Sequence, residues 1–220
     1  MNRTLKSLAL LLLIVFGCNA QQSEPANFIP TGFVLYEKFF GDLNKDGLED
    51  CVLLIKQTDT TNIVIDRFDK LVDRNRRGII VLFKNESGYQ LADQNHDCFS
   101  SENEDGGVYY APQLGIEIKN NKLYIHYEHG RYGYWKYTFR YQNANFEMIG
   151  YDASSNYGPI VNTETSINFS TKKKLVKQNT NEDAEGGDEV FEETWSKIEI
   201  ASLLKLSEIK DFDSLEMYKY

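Results

Sequence analysis

Apolar and aromatic runs of five to eight residues recur along most of the chain, separated by Gly, Asn and Asp, and this rhythm predicts strands. They are expected at 33–40, 51–56, 78–84, 88–92, 114–119, 122–128, 134–142, 145–151, 165–170, 173–178 and 190–199. "KNES" after Phe83, "KNN" after Ile118 and "QNAN" after Tyr141 are short enough for hairpin turns. "NTNEDAEGGDE" reads as a longer, acidic hairpin tip. Two stretches leave the rhythm. Ile63, Ile65, Phe68, Leu71 and Val72 have mixed spacing, and the apolar residues of "IASLLKLSEIKDFDSLEMYKY" fall at helix-compatible intervals. Short helical turns are therefore expected near 63–72 and 200–216. The fold expected is all-β and mainly antiparallel, a meander or sandwich or a set of partial propeller-like sheets.

Alternation in the centre of the chain assigns faces. Trp135, Tyr137, Phe139 and Tyr141 fall on one side of their strand, and Tyr134, Lys136, Thr138 and Arg140 on the other. Leu123, Ile125 and Tyr127 likewise oppose Tyr124, His126 and Glu128. The continuously aromatic Trp135 side is the expected core face.

The first residues follow a different logic. Arg3 and Lys6 precede an unbroken apolar run from Leu8 to Phe16, half the roughly 20 residues a bilayer span needs. The run ends in "VFGC", which resembles a bacterial lipobox, with Phe16 bulkier than usual for its position. The resemblance implies cleavage before Cys18, lipidation of that thiol and a stable anchor, since each buried methylene contributes about 0.8 kcal/mol. Residues 1–17 then form a lipoprotein signal peptide, 18–30 the lipidated end and a flexible tether ("NAQQSEPANFIP"), and 31–220 one domain. Loss of Arg3 and Lys6 moves the formal charge from −9 to −11. So acidic a chain repels polyanions, which excludes nucleic acid as a partner. Export also places Cys51 and Cys98 where a disulfide persists; a bridge and two buried thiols are both open readings.

The candidate chemistry centres on "FFGDLNKDGLEDCVLLIK", Phe39 to Lys56. Asp42, Asn44, Asp46 and Asp50 stand at positions 1, 3, 5 and 9, with Gly47 at the sharp turn and the Leu48 carbonyl at position 7. Ca²⁺ takes about six to eight oxygen ligands, and this spacing wraps the chain around one ion. An EF-hand needs Glu at position 12, where this chain has Leu53. The loop instead joins two strands, and over Gly41–Leu54 it resembles the calcium loops of FG-GAP and VCBS-type repeats in integrin-like propellers. That resemblance implies a structural Ca²⁺ held by Asp42, Asn44, Asp46, Leu48 and Asp50. One copy is present, against several in those propellers, and a metal-free Asx-rich turn is the alternative. The block from "SENEDGG" to "EMIGYD" resembles exported lipoproteins, many from Bacteroidetes, which implies location and architecture but no activity.

The remaining candidates are weaker. His126 and Glu128 share a strand face, but His129 falls at the turn and need not converge with them, so a third spaced ligand for zinc is lacking. Glu117 and Glu128 form a conceivable glycosidase pair, one of many among 33 acidic residues. Tyr132, Tyr134 and Trp135 in "GRYGYW" suggest an aromatic platform for a sugar or peptide, with core packing as the alternative for Trp135. The leading expectation is a lipoprotein of the bacterial outer membrane, on its periplasmic or outer face. It would act as a non-enzymatic binding module for a protein or glycan partner. An envelope hydrolase of glycans or peptides, or an inhibitor or immunity-type protein, are the alternatives.

Overall fold

The structure, a computed structural model, describes residues 24–105 and 110–220. The signal peptide, Cys18 and the start of the tether lie outside the described residues. Four strands, β1 (Phe33–Gly41), β2 (Asp50–Gln57), β5 (Arg77–Asn85) and β6 (Gly88–Phe99), form one antiparallel sheet in the order β1-β2-β5-β6. The next seven are β7 (Gln113–Lys119), β8 (Lys122–Glu128), β9 (Gly133–Gln142), β10 (Asn145–Tyr157), β11 (Ile160–Asn168), β12 (Lys173–Asn179) and β13 (Phe191–Lys197). They build a second antiparallel sheet in strict sequence order, a meander. The two sheets pack face to face as a sandwich rather than as propeller blades, with Val52, Leu54, Ile79 and Val81 of the small sheet in one cluster with Leu123, Ile125, Tyr137 and Phe139 of the large one.

"CVLLI" and "GIIVL" are continuous rather than alternating, and such strands must be covered on both faces. The second cover comes from the N-terminal segment. Phe28, Ile29 and Phe33 pack with Tyr89 and Leu91 on Cys51, Leu53, Ile55, Ile80 and Leu82. Pro25 is buried in a 3-10 turn, Pro25–Phe28. This corrects the expected tether: residues 25–30 belong to the domain, because their apolar side chains close the outer face of the small sheet.

In the large sheet the expected faces hold. Leu123, Ile125, Tyr127, Tyr137 and Phe139 are buried, with Trp135 and Tyr141 partly buried against them. Strands β6 and β10 extend well past the expected 88–92 and 145–151, through polar sequence (DQNHD, DASSN) that the backbone ladder tolerates on half-exposed faces. β11 begins five residues earlier than expected, at Ile160. The C-terminal segment packs as three 3-10 turns, Leu206–Glu208, Phe212–Ser214 and Met217–Lys219, which fits the helical turns expected there. Leu206, Ile209, Phe212 and Met217 are its buried anchors, and the Asn95 amide donates to the Leu206 and Ile209 carbonyls at 2.8 and 2.7 Å.

One expectation changes, and one open alternative is decided. Residues 63–72 are not helical: β3 (Ile63–Ile65) and β4 (Leu71–Asp73) pair as a small hairpin. The reasons are local. β-branched residues favour the extended backbone, and Asp66 Oδ1 accepts from Phe68 N and Lys70 N at 2.8 and 2.9 Å, which closes a tight turn with Asp69 at φ +60°. The cysteines are buried free thiols, Cys51 in the outer cluster and Cys98 in the inter-sheet core. The small sheet separates the two clusters, and burial pushes the Cys51 thiol up to about 11.

Candidate functional site

The β1–β2 loop is built from Asp and Asn side-chain oxygens that accept backbone N–H groups. Asp42 accepts from Lys45 N at 2.6 Å and Gly47 N at 3.2 Å, Asn44 from Asp46 N at 2.9 Å, and Asp46 from Leu48 N at 2.8 Å. Lys45 and Gly47 take the left-handed region, at φ +70° and +82°. Asp50 has turned under the loop and is fully buried. Its Oδ2 accepts from Leu43 N (2.7 Å) and Asn44 N (3.3 Å), and its Oδ1 from Lys84 N (2.9 Å) on β5. Burial outweighs these three hydrogen bonds and holds the Asp50 carboxyl above its ordinary value.

The loop also touches the other sheet: Asn121 Nδ2 donates to the Asp42 carbonyl at 2.9 Å, and Gly41 lies so close to Ile118 that a Cβ would clash. It therefore clamps the end where the sheets meet. Its donors are all hard oxygens, the kind Ca²⁺ takes, and none of Asp42, Asp46 or Asp50 forms an ion pair with Lys or Arg among the described residues. Three of the roughly four lone-pair positions of Asp50 are engaged, which leaves one for a cation. Among the described residues no three His, Cys, Asp or Glu side chains form a ready-made metal cluster.

The second site is a groove of about 390 Å³ on the inner face of the large sheet. Its floor is aromatic: Tyr127 and Trp135 stack with centroids 5.3 Å apart, and Tyr137 lies 5.3 Å from Tyr151. One wall is the C-terminal segment at Phe212, Asp213 and Leu215, and the other is formed by Ser100, Glu104, Asp105, Ala111 and Pro112. A larger hollow of about 940 Å³ adjoins it across Glu104, Asp105, Ala111 and Pro112 and reaches the β3–β4 hairpin.

Two buried cations of the small sheet hold the Ser100–Asp105 wall. Arg77 Nε donates to the Ser100 carbonyl at 2.9 Å, and Lys56 Nζ lies 2.5 Å from Glu102 Oε1 and 3.1 Å from Asp73. Arg74 pairs with Asp105 at 2.7 Å, and Ser101 Oγ donates to Glu104 at 2.7 Å. On the opposite wall, Tyr137 donates its hydroxyl to the Phe212 carbonyl at 3.3 Å.

Tyr127 is 2 % exposed, yet its hydroxyl has no hydrogen-bond partner among the described residues. Burial first, then the nearby Asp213 charge, keep that hydroxyl protonated far above the usual phenol range. A buried hydroxyl left unpaired costs about 1–3 kcal/mol, an unusual expense in a packed core.

The expected aromatic platform is not brought together. Trp135 faces the groove, Tyr134 points to the opposite side of β9 and is 40 % exposed, and Tyr132 sits in the Gly130–Tyr132 turn against His129 at 5.1 Å. Sequence neighbours on a strand alternate sides, so only one of Tyr134 and Trp135 can line a given surface. His126 and Glu128 are on the outer face, where the His126 ring lies over Gly115, while His129 Nε2 sits 3.2 Å from the Tyr110 carbonyl. Glu117 and Glu128 share that outer face, but pairing of Glu117 with Tyr124 and Glu128 with Gln113 sets them four residues apart, about 13 Å along the strand. Glycosidase pairs stand about 5–9.5 Å apart.

The groove-forming residues Tyr151, Asp213 and Leu215 escaped sequence reasoning. Tyr151 and Leu215 carried only apolar or aromatic content, which does not distinguish a core from a groove, and Asp213 was one acidic residue among 33. Comparison with family models, with curated proteins and with solved structures finds no match to this chain.

Proposed function

We propose that this chain is a lipid-anchored protein of the bacterial outer membrane that works as a binding module, with the inner-face groove as its ligand site. The observation that carries the reading is the buried, unpartnered Tyr127 hydroxyl on an aromatic floor of ligand-sized volume. Such a hollow, lined by aromatic and aliphatic side chains with a few placed polar groups, has the make-up of a small-molecule or side-chain site. A thermal-shift screen of amines, sugars, amino acids and short peptides tests it. At least one class is expected to raise the melting temperature of the wild type and leave Trp135→Leu unmoved. Equal shifts in both proteins would rule the groove out.

The anchor rests on "VFGC" and is tested by labelling cells with radioactive palmitate. Label is expected on the wild type and absent from Cys18→Ser; label persisting in that variant would refute it.

The β1–β2 loop is proposed to hold one structural Ca²⁺ through Asp42, Asn44, Asp46, the Leu48 carbonyl and Asp50. The ion would neutralise charge that has no Lys or Arg ion-pair partner among the described residues. Extracellular modules bind Ca²⁺ at about 10⁻⁴–10⁻³ M, so 1 mM calcium on a 10⁻⁴ M site stabilises by about 1.4 kcal/mol. A melt in 1 mM calcium against EGTA should show a rise of a few degrees, and an unchanged midpoint would sink the ion's structural role.

A further inference from the structure

We propose that the ligand of the groove carries an organic cation, an ammonium or guanidinium group, seated on the Tyr127–Trp135 stack with its N–H donors or positive face turned to Asp213 and Glu104. The inference rests on the groove reading above and assigns the chemistry of its occupant. Charge is the first support. Glu104, Asp105 and Asp213 all line the groove, and among the described residues no Lys or Arg side chain does. Asp105 is already answered by Arg74 at 2.7 Å, and Glu104 takes the Ser101 hydroxyl. Asp213 has no ion-pair partner among the described residues and stands close enough to Tyr127 and Tyr137 for its charge to act on both hydroxyls.

The hydrogen-bonding inventory points the same way. Ionised carboxylates only accept, so a ligand that satisfies this lining must bring donors. The Tyr127 hydroxyl, buried and without a partner among the described residues, remains protonated across the physiological range, and its oxygen is free to accept from a ligand N–H. The aromatic surface supplies the third term, because a cation over the face of Trp or Tyr is drawn to the ring quadrupole, most strongly where water is excluded. A neutral sugar would leave Asp213 uncompensated. An anion would meet three carboxylates.

The chain has two tryptophans, Trp135 in the groove and Trp195, 62 % exposed on β13. In the full-length Trp195→Phe protein, fluorescence therefore reports Trp135 alone. It would be titrated with choline, cadaverine and N-acetyl-lysine methylamide, and with 3,3-dimethylbutan-1-ol as the uncharged isostere of choline. A saturable change is expected with at least one cation. The best cation separates a quaternary headgroup, a free amine and a peptide side chain as the source. Choline, if it binds, should do so about ten-fold more tightly than its isostere, and Asp213→Asn should weaken cation binding several-fold. Tyr127→Phe should raise the melting temperature, since an unpaired buried hydroxyl is gone, and yet weaken the cation; a hydroxyl with no part in the site would leave affinity unchanged. Isostere binding as tight as choline's, with no effect of Asp213→Asn, would overturn the cation assignment and leave the groove reading intact. No saturable change with any of the four titrants would overturn both.

Discussion

Asp50→Asn is expected to lower the unfolding free energy by about 2–4 kcal/mol in calcium-free buffer, a large effect for one atom exchanged. The wild-type carboxylate accepts three backbone N–H groups from two elements, Leu43 and Asn44 in the loop and Lys84 on β5. An amide has one oxygen. Whichever way it turns, its NH₂ faces at least one backbone donor, and a buried N–H is left without an acceptor. Denaturant unfolding of the variant measures the loss. Asp46→Asn, on the exposed side of the same loop, is the control and should stay within about 0.5 kcal/mol. The pH arm has a definite sign. The Asp50 carboxyl is held above its ordinary value by burial, so the folded state takes up its proton before the unfolded state does. Its contribution to stability is therefore greatest below the unfolded value of 3.8 and is lost as pH rises through the folded one. The variant lacks this term, so its deficit should widen as pH falls from neutrality towards 3.8. A loss under about 1 kcal/mol, or a deficit that narrows in acid, would mean that Asp50 is not the buried acceptor described above.

Where periodicity was strong, the sequence was enough to place the layers. "CVLLI" and "GIIVL" cannot be half-buried strands, and the two-sided burial of β2 and β5 follows from their composition. Alternation over Trp135–Tyr141 put Tyr137 and Phe139 in the core correctly. What covers the outer face of the small sheet was not legible, because "ANFIP" is too short and irregular to show a period, and its role as a lid on Cys51 and Leu53 depends on a partner 25 residues on. The 63–73 hairpin was missed for a physical reason as well: Ile65 and Leu71 are exposed, so no buried stripe of either period exists to read, and the Asp66 turn decides the structure. That a polar loop joins β1 to β2 was legible, but not the burial of Asp50, which accepts from Lys84 N across the sheet. The groove was illegible altogether. Its walls come from Ser100–Asp105 and Phe212–Leu215, more than 100 residues apart, and no local pattern marks two segments that meet only through tertiary packing.

Phe212→Ala is expected to cost about 3–5 kcal/mol and to release the C-terminal segment from the sandwich. The ring is fully buried. It stacks on Phe99 of the small sheet at 5.0 Å and meets Tyr137 and Phe139 of the large sheet edge-on at 5.1 and 6.1 Å, so one side chain joins three layers. The segment that carries it has only 3-10 turns of its own, which hold few internal hydrogen bonds. Its stability is therefore borrowed from Leu206, Ile209, Phe212 and Met217 in the core. Removing the central anchor leaves a cavity between sheets that rigid strands cannot close, and the loss sits at the upper end of the range for that reason. Thermal or denaturant unfolding gives the magnitude, and trypsin gives the location, since Lys205 and Lys210 lie in the segment. The variant should be cut there under conditions in which the wild type stays intact. Phe212, Asp213 and Leu215 also make one wall of the groove, so ligand-induced shifts should vanish along with the segment's protection. A variant that loses stability but keeps both its protection at Lys210 and its ligand response would show that the segment is held by the Asn95 and Tyr137 hydrogen bonds rather than by this ring.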